Sequence, residues 1–246
     1  MPRIDDIMSK GPDVIELISL SWLGKAITPG FIRGGVYLVA GEPGIGKTTL
    51  AIQVLGELAR QGVKVLYLTT EQGLGDLKRA VIRIHGDSGG QISEPIRDNL
   101  YFDDTIEDID ALPRFLARRV LTEDEEYHGI QAIVVDSVQG RGLASTATQK
   151  YRALYEFAEN AKAQGLVSIL IGHVTKDGAL AGPRVLEHLV DTVLYFESDA
   201  GSRFRIVRAT KNRFGAVNEP AFFAMTEGGL REVSNPGAIF LARPER

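Results

Sequence analysis

From Gly35 onward the apolar positions fall into two kinds of run that alternate along the chain. Short continuous runs, "GVYLVAG" at 35–41, "VKVLYLT" at 63–69, "QAIVVDS" at 131–137 and "LVSILIGH" at 166–173, are rich in Val, Ile and Leu. Runs of this length dominated by β-branched residues predict strands. Between them, residues 47–61 (ending at Gly62), 74–85, 106–120 (perturbed by Pro113) and 148–164 predict helices. Strands that are apolar on both faces need cover on both faces. The alternation therefore predicts an α/β fold with a mostly parallel sheet flanked by helices.

The pattern changes at both ends. Residues 1–34 read as a lead-in, with the apolar stretch "DVIELISLSWL" followed by turn signals at Pro29-Gly30 and Gly34-Gly35. Residues 35–246 read as one domain. A polar, Gly-rich loop at 86–98 precedes "NLYF". Near the C-terminus "TVLYFES", "RFRIVRATKN" and "AFFAMTE" follow one another with no helical spacer. Turns such as "DAGS" predict antiparallel hairpins that extend one edge of the sheet. The acidic runs Asp103–Asp110 and Glu123–Glu126 read as solvated surface.

Composition narrows the class. The 246 residues, 44% hydrophobic and 24% charged, suit one large domain better than two small ones. The sequence contains no cysteine, which excludes disulfides, Cys-ligated zinc and thiol chemistry and fits a reducing cytoplasm. "MPRIDDIMSK" leads into no uninterrupted apolar stretch, so neither signal peptide nor membrane span is expected. A net charge of −4 argues against a uniformly basic nucleic-acid coat, while leaving room for a local basic stripe.

"GEPGIGKTT", comprising Gly41, Glu42, Pro43, Gly44, Ile45, Gly46, Lys47, Thr48 and Thr49, carries the chemistry. It follows an apolar strand and opens a helix, the setting in which a GxxxxGK[ST] loop wraps triphosphate oxygens with backbone N–H groups. Lys47 would hold the β- and γ-phosphates of ATP, and the Thr48 hydroxyl would bind Mg²⁺. Asp136 ends the strand "AIVVD", where its carboxylate can complete the Mg²⁺ site. Glu71 closes "VLYLTTE" at the same edge and can polarise an attacking water. His173 ends "SILIGH" as a third polar group there, a sensor of the γ-phosphate or a packing residue. Lys211 and Arg213 in "ATKNRFG" lie two apart on a strand, on one face, with nothing local in the sequence to neutralise them.

Glu71 between the first two phosphate motifs, with three polar strand ends, resembles a RecA-like P-loop NTPase core. "GHVTKDGALAGPRVLEHLVDTVLYFESD", "RIVRATKNRFGAVNE" and "GLREVSNPGAIFL" resemble the bacterial RadA (Sms) DNA-repair ATPase family, whose signature is "KNRFG". The resemblance covers roughly Gly35 to Leu241. It implies six-membered rings around single-stranded DNA, recombination or branch-migration work beside a recombinase, and ATP held between neighbouring subunits. Lys211 and Arg213 would then serve the neighbour's site. Family members usually also carry a four-cysteine zinc module and a Lon-protease-like domain, which this sequence lacks. Its "TTEQG" stands where the family tends to "SGEES".

The resemblance also implies a DNA channel lined by two loops. "SVQGRGLASTATQK" offers Arg141 and Lys150, and "VTKDGALAGPRVLEH" offers Lys176 and Arg184, all suited to phosphate contacts without base readout. Neither loop contains an aromatic residue for base stacking. Two other readings remain open at this point. One is a KaiC-like oligomeric switch that acts on a protein partner. The other is a core that binds ATP without productive turnover.

Overall fold

The computed structural model describes residues 14–18, 20–27, 30–123, 125–140, 146–174, 185–198, 204–217 and 220–233. A nine-stranded sheet organises them. Its parallel part comprises β3 (Val36–Gly41), β4 (Val65–Thr69), β5 (Leu100–Asp103), β6 (Ala132–Asp136), β7 (Val167–His173) and β8 (Thr192–Ser198). β9 (Phe204–Asn212), β10 (Ala221–Thr226) and β11 (Gly229–Glu232) continue it antiparallel, giving the order β11-β10-β9-β8-β3-β7-β6-β4-β5. A separate two-stranded sheet pairs β1 (Val14–Ile15) with β2 (Phe31–Ile32), and α1 (Ser21–Ala26) lies between them in sequence.

The period of two along each strand creates two cores, one on each side of the sheet. Tyr37, Val39, Val65, Tyr67, Val134 and Ile169 face α2 (Lys47–Arg60) and α3 (Leu74–His85). Leu23, Ile27 and Phe31 from the lead-in join this layer. Leu38, Leu66, Ile133, Val135 and Leu170 face the other layer, which includes α6 (Ala147–Ala163). Burying one Val, Leu or Ile side chain is worth about 1.5–3 kcal/mol, against a β-propensity range of only ~1 kcal/mol. Double-sided burial therefore decides the central strands. Among the described residues no helix is long and apolar enough to cross a membrane.

Three segments differ from the sequence reading. The loop at 86–98 ends in a short helix, α4 (Glu94–Asn99), with Pro95 in its first turn and Ile96 as its one buried residue. A single apolar position leaves no period to detect. The helix expected over 106–120 begins as a 3₁₀ turn at Ile109–Ala111, continues as α5 (Leu112–Phe115) and widens to a π-turn at Leu116–Val120. The acidic run at 103–110 is not all solvated surface. Asp103 is buried, accepting from the Tyr127 hydroxyl at 2.9 Å and from Thr105 Oγ1 at 2.6 Å.

One contact closes an outer strand. Gln53 of α2 donates from Nε2 to the Leu230 carbonyl at 3.0 Å, and its Oε1 accepts from Leu230 N–H at 2.8 Å.

Candidate active site

β3 delivers the chain to the phosphate loop, and α2 takes it away. Gly46 caps α2 with φ +119°, and Gly44 turns the loop at φ +74° with open space where a side chain would stand. Both angles lie in the region that glycine tolerates best. The loop thus leaves room for an anion in front of a helix start whose first N–H groups have no intrahelical partner. The cleft has a volume of about 310 Å³ and is lined by loop residues with Glu71, Gln72, Asp136 and His173.

Lys47 sits inside this cleft, with only 5% of its surface exposed. Its ammonium donates to the carbonyls of Gly41 and Glu42, each at 2.8 Å. Burial lowers its pKa, opposed by the charges of Asp136 and Glu71. Two carbonyls satisfy the ammonium only partly, and a triphosphate would offer it a full counter-charge.

Asp136 ends β6 beside Thr69, its register partner on β4. Its Oδ2 accepts from Thr48 Oγ1 at 2.7 Å and from the Tyr67 hydroxyl. Tyr67 is fully buried, and burial followed by the Asp136 charge raises its pKa well above the usual range. The Asp136–Ser137 peptide is cis, and Ser137 N–H donates to Thr70 Oγ1 at 3.0 Å. Mg²⁺ that arrives with a triphosphate takes one or two protein oxygens, the rest coming from phosphates and water. The Thr48 hydroxyl and Asp136 carboxylate fit that donor set. Among the described residues no cluster of three His, Asp or Glu would hold an ion alone.

Glu71 lies two residues beyond β4, with its side chain 37% exposed to the cleft. Ser137 Oγ donates to its Oε1, and His173 Nε2 donates to the same oxygen at 3.3 Å. The buried His173 Nδ1 has no hydrogen-bond partner among the described residues. The three polar strand ends identified from sequence therefore converge. Tyr67, Ser137 and Thr70 join them unannounced, as does Arg205 of β9, whose Nε donates to the Ile45 carbonyl of the phosphate loop at 3.2 Å. Tyr67 carried one usable signal: it is the polar-tipped residue of a strand otherwise lacking one before Thr69.

Lys211 and Arg213 are elsewhere. Lys211 Nζ donates to the carbonyls of Glu187 and Val190, each at 2.6 Å, at the end of α7 (Val185–Leu189). Nothing local in the sequence neutralises these cations, and Arg213 pairs instead with Asp191 Oδ1 at 3.0 Å. The carboxylate comes from 22 residues upstream in sequence, brought in because β8 and β9 pair antiparallel. Asp191 N–H in turn donates to the carbonyl of Val36 at the start of β3. The phosphate loop begins at the other end of that strand, five residues away. At 3.3 Å per residue the separation is about 16 Å.

Lys150 heads α6, where its ammonium donates to the Gln139 carbonyl at 2.6 Å. The other basic positions expected to contact DNA, Arg141, Lys176 and Arg184, lie outside the described residues.

This arrangement has relatives. The family described as "ATPase: KaiC" matches residues 4–231. The chain belongs to the KaiC ATPase family. As a KaiC-family ATPase it has the RecA-like fold and is an ATP-hydrolysing enzyme. The chain is 41% identical to the DNA repair protein RadA of Pseudomonas aeruginosa over 223 residues, covering 91% of this chain and 46% of that protein. To the DNA repair protein RadA of Escherichia coli it is 41% identical over 227 residues, 89% of this chain and 45% of that one. The Bacillus subtilis DNA repair protein RadA is 37% identical over 230 residues, 90% and 46% respectively. This KaiC-family chain spans about half the length of the curated relatives it matches.

Proposed function

We propose that the chain is the ATPase core of a DNA-repair protein of the RadA kind, working in the cytoplasm as a ring of six copies on single-stranded DNA. Each ATP site would be completed by a neighbour. The observation that carries this reading is the position of Arg213. It pairs with Asp191, which is bonded to the start of β3, whereas the loop that holds Lys47 begins at the other end of that strand, about 16 Å further along. A cation held there serves a triphosphate on another copy more readily than one in its own cleft.

The roles follow from the cleft. Lys47 would exchange its two carbonyl partners for the β- and γ-phosphates. Thr48 and Asp136 would hold Mg²⁺, which neutralises phosphate charge when bound. Glu71 would accept a hydrogen bond from the attacking water and turn its lone pair toward the γ-phosphate. His173, bonded to Glu71, would register whether that phosphate is present. Lys211 and Arg213 of the neighbour would stabilise charge on the transferring group, a contribution worth roughly 10³–10⁵ in rate in other NTPases. Arg141, Lys150, Lys176 and Arg184 would bind DNA phosphates within the ring, and a recombinase would be the protein partner.

The test is the steady-state ATPase rate as single-stranded DNA is titrated in at low salt and again at higher salt. The expected result is a saturable rise that weakens with salt, because phosphate contacts release counterions. A flat response with real basal turnover overturns the DNA reading and favours a switch acting on a protein. In a companion test, Lys47→Ala and Arg213→Ala chains are mixed. A shared site regains turnover in the mixture, whereas a site built within one chain does not.

A further inference from the structure

We propose that Met225 is the platform on which the base of the bound nucleotide rests, and that its exposed thioether face selects a purine. This rests on the phosphate loop holding a triphosphate, and it assigns the part of the nucleotide that the cleft leaves uncovered. Apart from Pro43, the residues lining that cleft are glycine or polar. They suit phosphates and offer a flat, largely apolar ring little to cover.

Strand order sets the side on which the base lies. β7, β6 and β4 stand on one side of β3 and bring His173, Asp136 and, just beyond β4, Glu71. A triphosphate whose γ-phosphate points at Glu71 turns its α-phosphate, with the nucleoside attached, toward β8, β9 and β10 on the other side. β8 runs parallel to β3, and β9 is antiparallel to both β8 and β10. β10 therefore runs the same way as β3, so Met225 near its C-terminal end reaches the edge that carries the phosphate loop. The approach is close. A Cβ placed on Gly46 would meet the Met225 methyl at 2.6 Å.

Met225 is held in that position. Its register partner on β11 is Leu230, whose N–H and carbonyl both bond to Gln53 of α2. Arg83 of α3 donates to the Glu227 carbonyl at 2.6 Å, in the turn between β10 and β11, and Thr226 Oγ1 donates to the Gly229 carbonyl at 2.8 Å. The helix that starts at the phosphates thus also fixes the strand pair beside them. Even so, Met225 is 38% exposed. A single exposed apolar residue is ordinary. One clamped against a phosphate loop is a prepared surface. A thioether is polarisable and makes favourable contacts with flat rings. As a weak acceptor and no donor, it discriminates by the area a ring covers, and a purine covers more than a pyrimidine.

The test is isothermal titration of the full chain, with Mg²⁺, against a non-hydrolysable ATP analogue and against inorganic tripolyphosphate. Met225→Ala should weaken the analogue about two- to ten-fold, the span of sulfur–ring contacts, and leave tripolyphosphate unchanged. Met225→Leu keeps an apolar face of similar volume and should lose less. The preference for the ATP analogue over the corresponding CTP analogue should shrink in Met225→Ala. Equal losses for analogue and tripolyphosphate overturn the platform, as does no loss for either. A purine preference that Met225→Ala leaves intact overturns it too.

A second measurement needs no substitution. An azidoadenine triphosphate is bound to the unaltered chain and illuminated, and the labelled peptide is identified by mass spectrometry. Label on β10 or β11 is the expected result, and label confined to other segments overturns the platform. Lys47→Ala judges the phosphate loop separately, because it should weaken tripolyphosphate as well as the analogue. Tripolyphosphate binding that survives Lys47→Ala removes the phosphate reading, and the platform with it.

Discussion

Arg213 and Asp191 meet in an ion pair of 3.0 Å, and the same carboxylate oxygen holds Lys162 at 3.3 Å. The other oxygen accepts from Val36 N–H at 3.0 Å, which fixes the carboxylate to the start of β3. In the lone chain Arg213 therefore has an anion of its own, which it would have to exchange in order to serve a neighbour as proposed. Asp191→Asn keeps an oxygen for Val36 while discarding the charge. The expected outcome is a DNA-free kcat raised about two- to five-fold, the equivalent of the ~1 kcal/mol that a half-exposed pair contributes, with KM for ATP unchanged. Steady-state kinetics on the single variant and on the double variant with Arg213→Ala decide the matter. A gain that persists without Arg213 discards this explanation.

Tyr67→Phe preserves the buried ring and removes one of the two hydroxyl donors to Asp136 Oδ2. A hydrogen bond to a charged acceptor is worth about 1.5–3 kcal/mol, so urea unfolding should show a loss in that range. The Mg²⁺ concentration for half-maximal turnover should rise as well, because the carboxylate is less firmly aimed. Lost stability with an unchanged Mg²⁺ requirement would limit Tyr67 to packing.

Gly56 sits inside α2, where alanine would ordinarily gain up to about 1 kcal/mol. Here a Cβ would collide with the ring of His85, which packs across the helix. Gly56→Ala should instead destabilise by roughly 1–3 kcal/mol, the usual cost of overpacking. Adding His85→Ala should restore part of that loss. A thermal melt of the two variants checks both signs.

His85 also predicts a pH dependence. Its Nε2 lies 2.9 Å from the Ile52 carbonyl and its Nδ1 lies 3.0 Å from Arg60 NH2, a pairing that suits the neutral ring. Burial, assisted by Arg60, lowers its pKa below 6.5, with the Ile52 bond and Glu57 opposing. The unfolded chain then binds the proton first as pH falls. Stability from this group is complete above pH 6.5 and declines below it, by at most about 1.4 kcal/mol per pH unit. Melting temperature against pH for wild type and His85→Gln should differ in slope below that point. Parallel curves would show that His85 titrates alike in both states.

What could be read from the sequence was local. The phosphate loop declares itself in nine consecutive residues, and β3, β4, β6 and β7 declare themselves by runs with no polar face. Asp136, Glu71 and His173 were found because each follows such a run, and parallel strands bring their C-terminal ends to one edge. The contacts that escaped join residues far apart in sequence. Tyr67 reaches Asp136, Asp103 reaches Tyr127, and Arg213 reaches Asp191 only after the sheet has assembled. Helix α4 escaped for a different reason, since six residues with one buried position carry no periodicity.

The amide of Gln53 has a further consequence. It offers Leu230 one donor and one acceptor at 3.0 and 2.8 Å, the same pair of bonds that an adjacent strand would offer. An extended peptide arriving to pair with β11 at Leu230 would have to break both bonds there first. That is a built-in resistance to fibre growth from this rim, provided by a single side chain on a neighbouring helix.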